Sequence, residues 1–475
     1  MFDFLRQRTR LAVFAIAAVC VTAIPFKLLA ESYLPPDDAL RHAAKVISGK
    51  DWKDILVMRG DIRMDSHPGW HSVLGVVHKV TKGDAQSLVF FSVVALFILF
   101  SVPALLLLRR PEAWLAALLV FAVEGTSIHR LMLGRPFIVT MAAFLFICLW
   151  WPRLREGKNI LLYTIVLSVL VALSTWLHGC WYLFALPVAA FLMARQRRAA
   201  LILINASLVG IAAGAALTGQ PVIFIKQMIQ HVVLAFDVPS YLLVSEFTPS
   251  GGKFAFVIVV ALMLIWRVIR KSSRAKLTED PVFLLGATAW LLGLISSRVW
   301  FDVGLTAFLA WMALEFQEIL EARVGEPASK RFLAALVLSV ALFLAYTSDG
   351  EDRRWTSNLS TEYLYSDNPV HAKWLPDPGG IIYSDDMFVF YQTFFKNPYA
   401  RWRYALGFEP AWMAPDDLAV YRKLQQFPLE PQYYVPWINK MRPQDRMILT
   451  RQPNIPGLEW SHLLGRIWIG RLPRR

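Results

Sequence analysis

Two carboxylates stand side by side, Asp37 and Asp38, in the run Pro36-Asp37-Asp38-Ala39-Leu40-Arg41-His42-Ala43, just past the first apolar stretch of the chain. An acidic pair at the lip of a membrane, followed by a partly basic amphipathic segment, suits the deprotonation of an acceptor beside a lipid-borne phosphate donor. Pro-Pro-Asp-Asp is equally what a helix N-terminus favours for backbone reasons alone. Further on, Asp61-Ile62-Arg63-Met64-Asp65-Ser66-His67-Pro68-Gly69-Trp70-His71 sets carboxylates among imidazoles, and Asp38, Asp65 and His67 are the candidates for a divalent cation. Their spacing matches no defined metal site, and a polar turn ahead of the next helix is the competing reading. No cofactor is required by these residues, and a divalent cation stays an alternative.

A second set of ionisable residues falls inside apolar sequence, where each costs several kcal/mol unless it lines a wet cavity or finds a partner. His129-Arg130 with Arg135-Pro136 brackets a short segment, and His178-Gly179 opens another. Arg298 with Trp300 and Asp302 forms a third cluster, and Glu124 stands alone in an apolar stretch. Guanidinium groups offer bidentate donors to phosphate oxygens. Snorkelling, or an internal pair such as Arg298 with Asp302, accounts for them equally well. Trp70, Trp181 and Trp300 either stack on a ligand or belong to the interfacial aromatic belt.

The elements that must position these residues are membrane helices. Of the 475 residues, 56% are hydrophobic. Apolar runs recur near 11–30, 88–108, 113–128, 136–151, 159–176, 179–194, 199–218, 254–270, 281–297, 300–318 and 331–347, eleven in all, with 136–151 and 179–194 short of a full span. Basic clusters at Arg6 to Arg10, Arg109-Arg110, Arg153 to Lys158, Arg195 to Arg198, Arg267 to Lys276 and Arg323 to Arg331 alternate with the spans. The positive-inside rule then puts the N-terminus in the cytoplasm and 31–87, 129–135, 219–253 and the tail outside. Much of the +14 charge is therefore topological and argues against nucleic acid as a partner. Lys27 and Leu28-Leu29-Ala30 make a poor cleavage site, so the first stretch reads as a retained anchor. The three cysteines lie in apolar spans and build neither disulfides nor a zinc site.

The expected architecture is a mainly α polytopic bundle over 1–347, with 31–87 as a structured first outer loop, and a small α/β extracytoplasmic domain over 348–475. In the loop, apolar spacing predicts a helix over Ala39 to Ile47 with Arg41 and Lys45 facing headgroups or phosphate. In the tail, Gly379 to Ser384 reads as a turn into a buried strand, Asp416 to Gln426 as a helix opening on Pro415, and Arg446 to Thr450 and Arg466 to Ile469 as strands.

The run from Pro36 to Ala43, with Gly49-Lys50-Asp51-Trp52 behind it and His67-Pro68 further on, resembles the first outer loop of GT-C-type integral membrane glycosyltransferases. In the branch of aminoarabinose and mannosyl transferases that loop reads Pro-Asp-Glu, a helix, Gly-Asp-Trp, and a Lys/His-Pro-Pro turn. Asp38 here replaces the Glu, and Arg41-His42 stands where an aromatic residue is usual. Ser384-Asp385-Asp386, Asn397-Pro398 and Gly407-Phe408-Glu409-Pro410 are similar to the C-terminal part of uncharacterised bacterial membrane proteins of that superfamily. The resemblance implies an inverting transfer of a sugar from a polyprenyl-phosphate carrier to a lipid or glycan acceptor on the outer side of a bacterial cytoplasmic (inner) membrane. It implies Asp37 as general base, Asp38 as its neighbour or a metal ligand, and Arg298 with Arg130 or Arg135 on the leaving phosphate, with Arg41, His67 and His178 as further substrate contacts. An O-antigen polymerase or ligase, a transporter or flippase of lipid-linked or anionic substrates, and a non-catalytic assembly subunit are the competing functions.

Overall fold

The structure, a computed structural model, describes residues 2–156, 159–235, 248–272, 274–323, 327–349, 353–428 and 430–473. It is mainly helical, at 68% helix, with a small C-terminal sheet. Among the described residues seven helices are long and apolar enough to cross a membrane: Gln7–Ala30, Ala85–Leu107, Phe137–Glu156, Ile160–His178, Arg197–Ala216, Ser297–Ala322 and Ala328–Thr347. The other expected crossings are shorter apolar helices, Pro111–Phe121, Trp181–Met193, Phe254–Ile269 and Pro281–Gly293. The stretch expected to be short at 136–151 runs on through Pro152 to 20 residues. The one expected over 113–128 instead stops at Phe121, and a second helix, Gly125–Met132, starts after Glu124. The break answers the cost of a carboxylate in hydrocarbon, because Glu124 Oε2 accepts the Lys253 backbone N–H at 2.8 Å.

Two compact units emerge. The first comprises Met1–Tyr33, Ser92–Pro221 and Glu246–Trp355. Its helix Leu305–Arg323 is central, packing against Pro111–Phe121, Phe137–Glu156 and Pro281–Gly293. Helices Ile160–His178 and Arg197–Ala216 meet closely through Gly210 and Gly214, four residues apart. A Cβ at Gly210 would come within 2.6 Å of the Ser168 carbonyl, and one at Gly214 within 2.5 Å of the Ala172 carbonyl. Small residues at this spacing let two backbones approach where no hydrophobic force draws helices together in lipid. Trp300, expected at a ligand or in a belt, is instead core: it is buried beside Gly252, Gly293 and Gly304, each of which would clash with it if given a Cβ.

The second unit comprises Leu34–Phe91, Val222–Ser245 and Thr356–Arg475, so the first loop groups with the tail. The tail holds a five-stranded mixed sheet, with β1 (Ile381–Tyr383), β2 (Arg403–Tyr404), β3 (Arg446–Leu449), β4 (Glu459–Leu464) and β5 (Ile467–Arg471) in the order β2-β1-β3-β5-β4. β1 is parallel to both β2 and β3, whereas β3, β5 and β4 run antiparallel. β3 is buried along its whole length, as a central strand covered on both faces should be. The β4–β5 hairpin turns through Gly465, whose φ of +45° favours glycine. The expected helix over 416–426 is Pro415–Gln426, and the expected strands near 381, 446 and 466 are β1, β3 and β5. The loop joins this framework by backbone pairing: Val57 N–H donates to the Tyr404 carbonyl and Arg59 N–H to the Trp412 carbonyl, both at 2.9 Å.

Candidate functional site

The expected loop helix spans Asp38–Ser48 and closes on Gly49 in the left-handed conformation, the usual helix stop. Asp37 is its N-cap, with Oδ1 accepting the Asp38 backbone N–H at 2.6 Å, and the residue is buried. Asp38, the more exposed of the two, has other partners. Its Oδ1 accepts from Arg41 Nε at 2.6 Å and from the Tyr391 hydroxyl at 3.4 Å. Arg41 does not face headgroups: it is 2% exposed, with its guanidinium carbon 3.8 Å from the centroid of the Phe408 ring. Phe408 in turn packs against Trp52 and Trp412. A planar, weakly hydrated guanidinium is well suited to such an aromatic slot, so the i,i+3 pair with Asp38 holds this turn of helix in place.

One turn along the same helix, His42 Nδ1 lies 2.8 Å from His71 Nε2, and His71 Nδ1 is paired with Asp65 Oδ2. The other Asp65 oxygen accepts the His67 backbone N–H at 2.9 Å, and His67 Nδ1 lies 2.8 Å from Ser66 Oγ. His67 is the N-cap residue of helix Pro68–Thr81. Burial, aided by the Arg41 charge, drives the His67 imidazole well below its ordinary pKa, so it is neutral at pH 7. Burial opposes ionisation of Asp65, but His71 and His67 outweigh it and hold this carboxyl below the usual carboxylate range. Of the three metal candidates, Asp65 is thus part of a carboxylate–imidazole chain with His71 and His42, His67 gives Asp65 its backbone N–H while its imidazole meets Ser66, and Asp38 is paired with Arg41. Among the described residues no group of three or more His, Cys, Asp or Glu is arranged to hold a metal ion.

Arg130, Arg135, His178 and Arg298 belong to the helical unit. Arg130 and Arg298 converge on one carboxylate. Arg130 is bidentate to Asp302, with Nη2 to Oδ2 at 2.9 Å, and Arg298 Nε lies 3.6 Å from the same Oδ2. Asp302 is fully buried in a π-turn, Trp300–Gly304, at the head of helix Leu305–Arg323. The anticipated Arg298–Asp302 pair is therefore real, but Arg130 is the closer partner. This trio carries a formal charge of +1. Arg298 also sits over Phe137, 5.4 Å from its centroid, and His178 packs edge-on to the same ring at 4.9 Å, so Phe137 brings Arg298 and His178 together. Arg135 lies between helices Gly125–Met132 and Phe137–Glu156, with its carbonyl accepting from Ile138 N–H at 3.1 Å.

Four participants are not among the expected site residues. Tyr391 comes from the far end of the chain and nothing local announces it, and Phe408 stands out only within the Gly407 to Pro410 segment, with nothing to tie it to Arg41. His42 and His71 carried a signal, since Asp38 and His42 are four apart on one helix face and His67 and His71 on another. Compared with known proteins, the sequence matches no protein-family model and no curated relative.

Proposed function

We propose that the protein is an inverting glycosyltransferase of a bacterial cytoplasmic membrane, taking sugar from a polyprenyl-phosphate donor, with Asp37 as general base. The observation that carries this reading is the placement of the acidic pair at the start of helix Asp38–Ser48. Asp38 accepts from Arg41 and Tyr391, and the Asp37 carboxylate beside it accepts the Asp38 backbone N–H. Asp37 takes the acceptor hydroxyl proton as that oxygen attacks the anomeric carbon. The bond from that carbon to the phosphate oxygen breaks, and the phosphate leaves with its charge. On chemistry alone, Arg298 with Arg130 or Arg135 is assigned that leaving phosphate, because guanidinium groups offset developing phosphate charge. The topology that goes with this reading counts the four shorter apolar helices as crossings, eleven in all, with the N-terminus cytoplasmic and the tail outside.

The test is transfer of radiolabelled sugar from a panel of synthetic polyprenyl-phosphate sugars, comparing wild-type protein with Asp37→Asn. Turnover in the wild type that falls by three or more orders of magnitude in the variant, with donor binding retained, supports the reading. Equal turnover in both removes Asp37 from the chemistry. Donor sugar that crosses a vesicle membrane without transfer would favour a flippase instead.

A further inference from the structure

The second unit contains an open cleft of about 1190 Å³ that the transferase reading does not use. Its floor and rim come from the end of helix Pro68–Thr81, the turn after it, the segment around Tyr363–His371, and the stretch that follows helix Met387–Lys396. The walls are fixed by side chains whose polar atoms are spent on backbone. Asn397, buried, accepts the Ser366 N–H at 2.8 Å and donates to the Leu364 and Thr393 carbonyls at 2.9 and 2.8 Å. His371, also buried, accepts the Tyr365 N–H at 3.2 Å, and His78 Nδ1 lies 2.8 Å from the Gly83 carbonyl. The Gly379 N–H donates to the Arg401 carbonyl at 2.8 Å, which fixes the opposite edge. A cleft built this way loses little entropy when it is filled.

The groups displayed in it are of another kind. Tyr399 is 69% exposed and Tyr365 43% exposed, and the Tyr365 hydroxyl is hydrogen-bonded to Asp367. Lys396 stands 4.8 Å from the centroid of a third ring, Tyr363. Exposed tyrosines interleaved with charged donors and acceptors mark a recognition surface. The charges decide the ligand class. Lys82, Lys396 and Arg401 are countered by Asp84 and Asp367, so an anionic polymer would meet repulsion as well as attraction. The apolar lining is mostly rings, among them Pro376, Pro378, Phe395 and Trp402, interrupted by charged and polar groups, which suits a ligand that alternates ring faces and hydroxyls better than a continuous acyl chain. A ligand with apolar ring faces and a rim of hydroxyls fits both the tyrosines and the mixed hydrogen-bonding groups.

We propose that this cleft is a saccharide-binding site, sized for an oligosaccharide, with Tyr365 and Tyr399 as stacking platforms and Asp367, Lys396 and Arg401 as hydroxyl partners. It goes beyond the transferase reading and does not need it, since a glycan can be held here without being transferred. The experiment is binding of the full chain in nanodiscs to an array of purified oligosaccharides built on glucose, mannose, heptose, N-acetylglucosamine and uronic acids, with polyphosphate and empty nanodiscs as controls. Wild type, Tyr399→Ala, Tyr365→Ala and Asp37→Asn are compared after their thermal stability has been matched. The expected result is binding of one or more oligosaccharides, weakened roughly tenfold or more by either tyrosine substitution and unchanged by Asp37→Asn. Absence of oligosaccharide binding, binding indifferent to both tyrosines, or a preference for polyphosphate would overturn the assignment. Loss of turnover in Asp37→Asn with glycan binding intact keeps the two proposals separately answerable.

Discussion

Asp302 in the helical unit and Asp65 in the loop-and-sheet unit face the same problem, a carboxylate largely removed from water, and solve it differently. Asp302 is met by two guanidinium groups, Arg130 and Arg298. Asp65 is met by a backbone N–H and an imidazole that is itself backed by another. The difference follows from what each fold has to spare. Along a helix nearly all backbone N–H groups are used, so Asp302 and Glu112 find charged side chains, whereas Glu124, at a helix break, takes a backbone N–H. Turns and helix starts leave N–H groups unclaimed, and Asp65 uses one of these. Glu112, clamped by Arg110 and Arg331, repeats the first solution, and Asp37, which accepts the Asp38 backbone N–H at a helix start, draws on the second.

The strongest way to break the comparison is to take Asp302 away. Asp302→Ala leaves two guanidinium groups without their shared partner, and breaking a buried pair costs about 3–5 kcal/mol. The detergent-solubilised variant should lose most of its folded population, and Arg298→Ala in the same chain should restore part of it. If Asp302→Ala melts like the wild type, the cluster is not what stabilises this end of the bundle. A smaller loss, about 1–3 kcal/mol, is expected from Gly214→Val, because its added carbons meet the Ala172 backbone carbonyl and the short, β-branched Thr175 side chain. Resistance to unfolding by SDS reads that cost directly, and an unchanged curve would mean that the two helices part without penalty.

Such dependence on distant partners explains how far the sequence could be read. Apolar runs of the right length are a local signal, so the helices were legible. So were β1, β3, β5 and helix Pro415–Gln426, each announced by a turn residue or a short apolar run. β4 was not, because Glu459-Trp460-Ser461-His462 alternates without a buried face. At the site, Asp37 and Asp38 were visible as a pair, but only the fold distinguishes them, through Arg41 and a tyrosine some 353 residues further along the chain. Arg41 looked like a headgroup contact because a cation on an amphipathic helix usually is one. Its burial comes from Phe408, which no local pattern ties to it.

Imidazole-based burial should show itself in pH where guanidinium-based burial does not. In the folded chain His67 takes up a proton only well below its ordinary pKa, while the unfolded chain binds one near 6.5. Between those values the unfolded state holds more protons, so this contribution is complete above about pH 6.5 and is lost as the pH falls below it, at up to about 1.4 kcal/mol per pH unit. Asp65, with its folded pKa depressed, adds a second loss that begins only below about pH 3.9. Melting temperature followed from pH 8 to 5 should fall in the wild type and flatten in His67→Asn. Parallel slopes in the two proteins would assign the acid sensitivity to another group.

The smallest effect is also the one that separates folding from chemistry. Asp37 Oδ1 caps its helix, and asparagine caps as well as aspartate does, so Asp37→Asn should leave stability within about 0.5 kcal/mol of the wild type. Asp37→Ala removes the acceptor and should cost about 1 kcal/mol. Both variants lack a carboxylate, so both should lose sugar transfer to the same extent despite their different stabilities. Transfer that tracks melting temperature across wild type, Asn and Ala would instead make Asp37 a cap and nothing more, and would send the search for a base to other groups of the second unit.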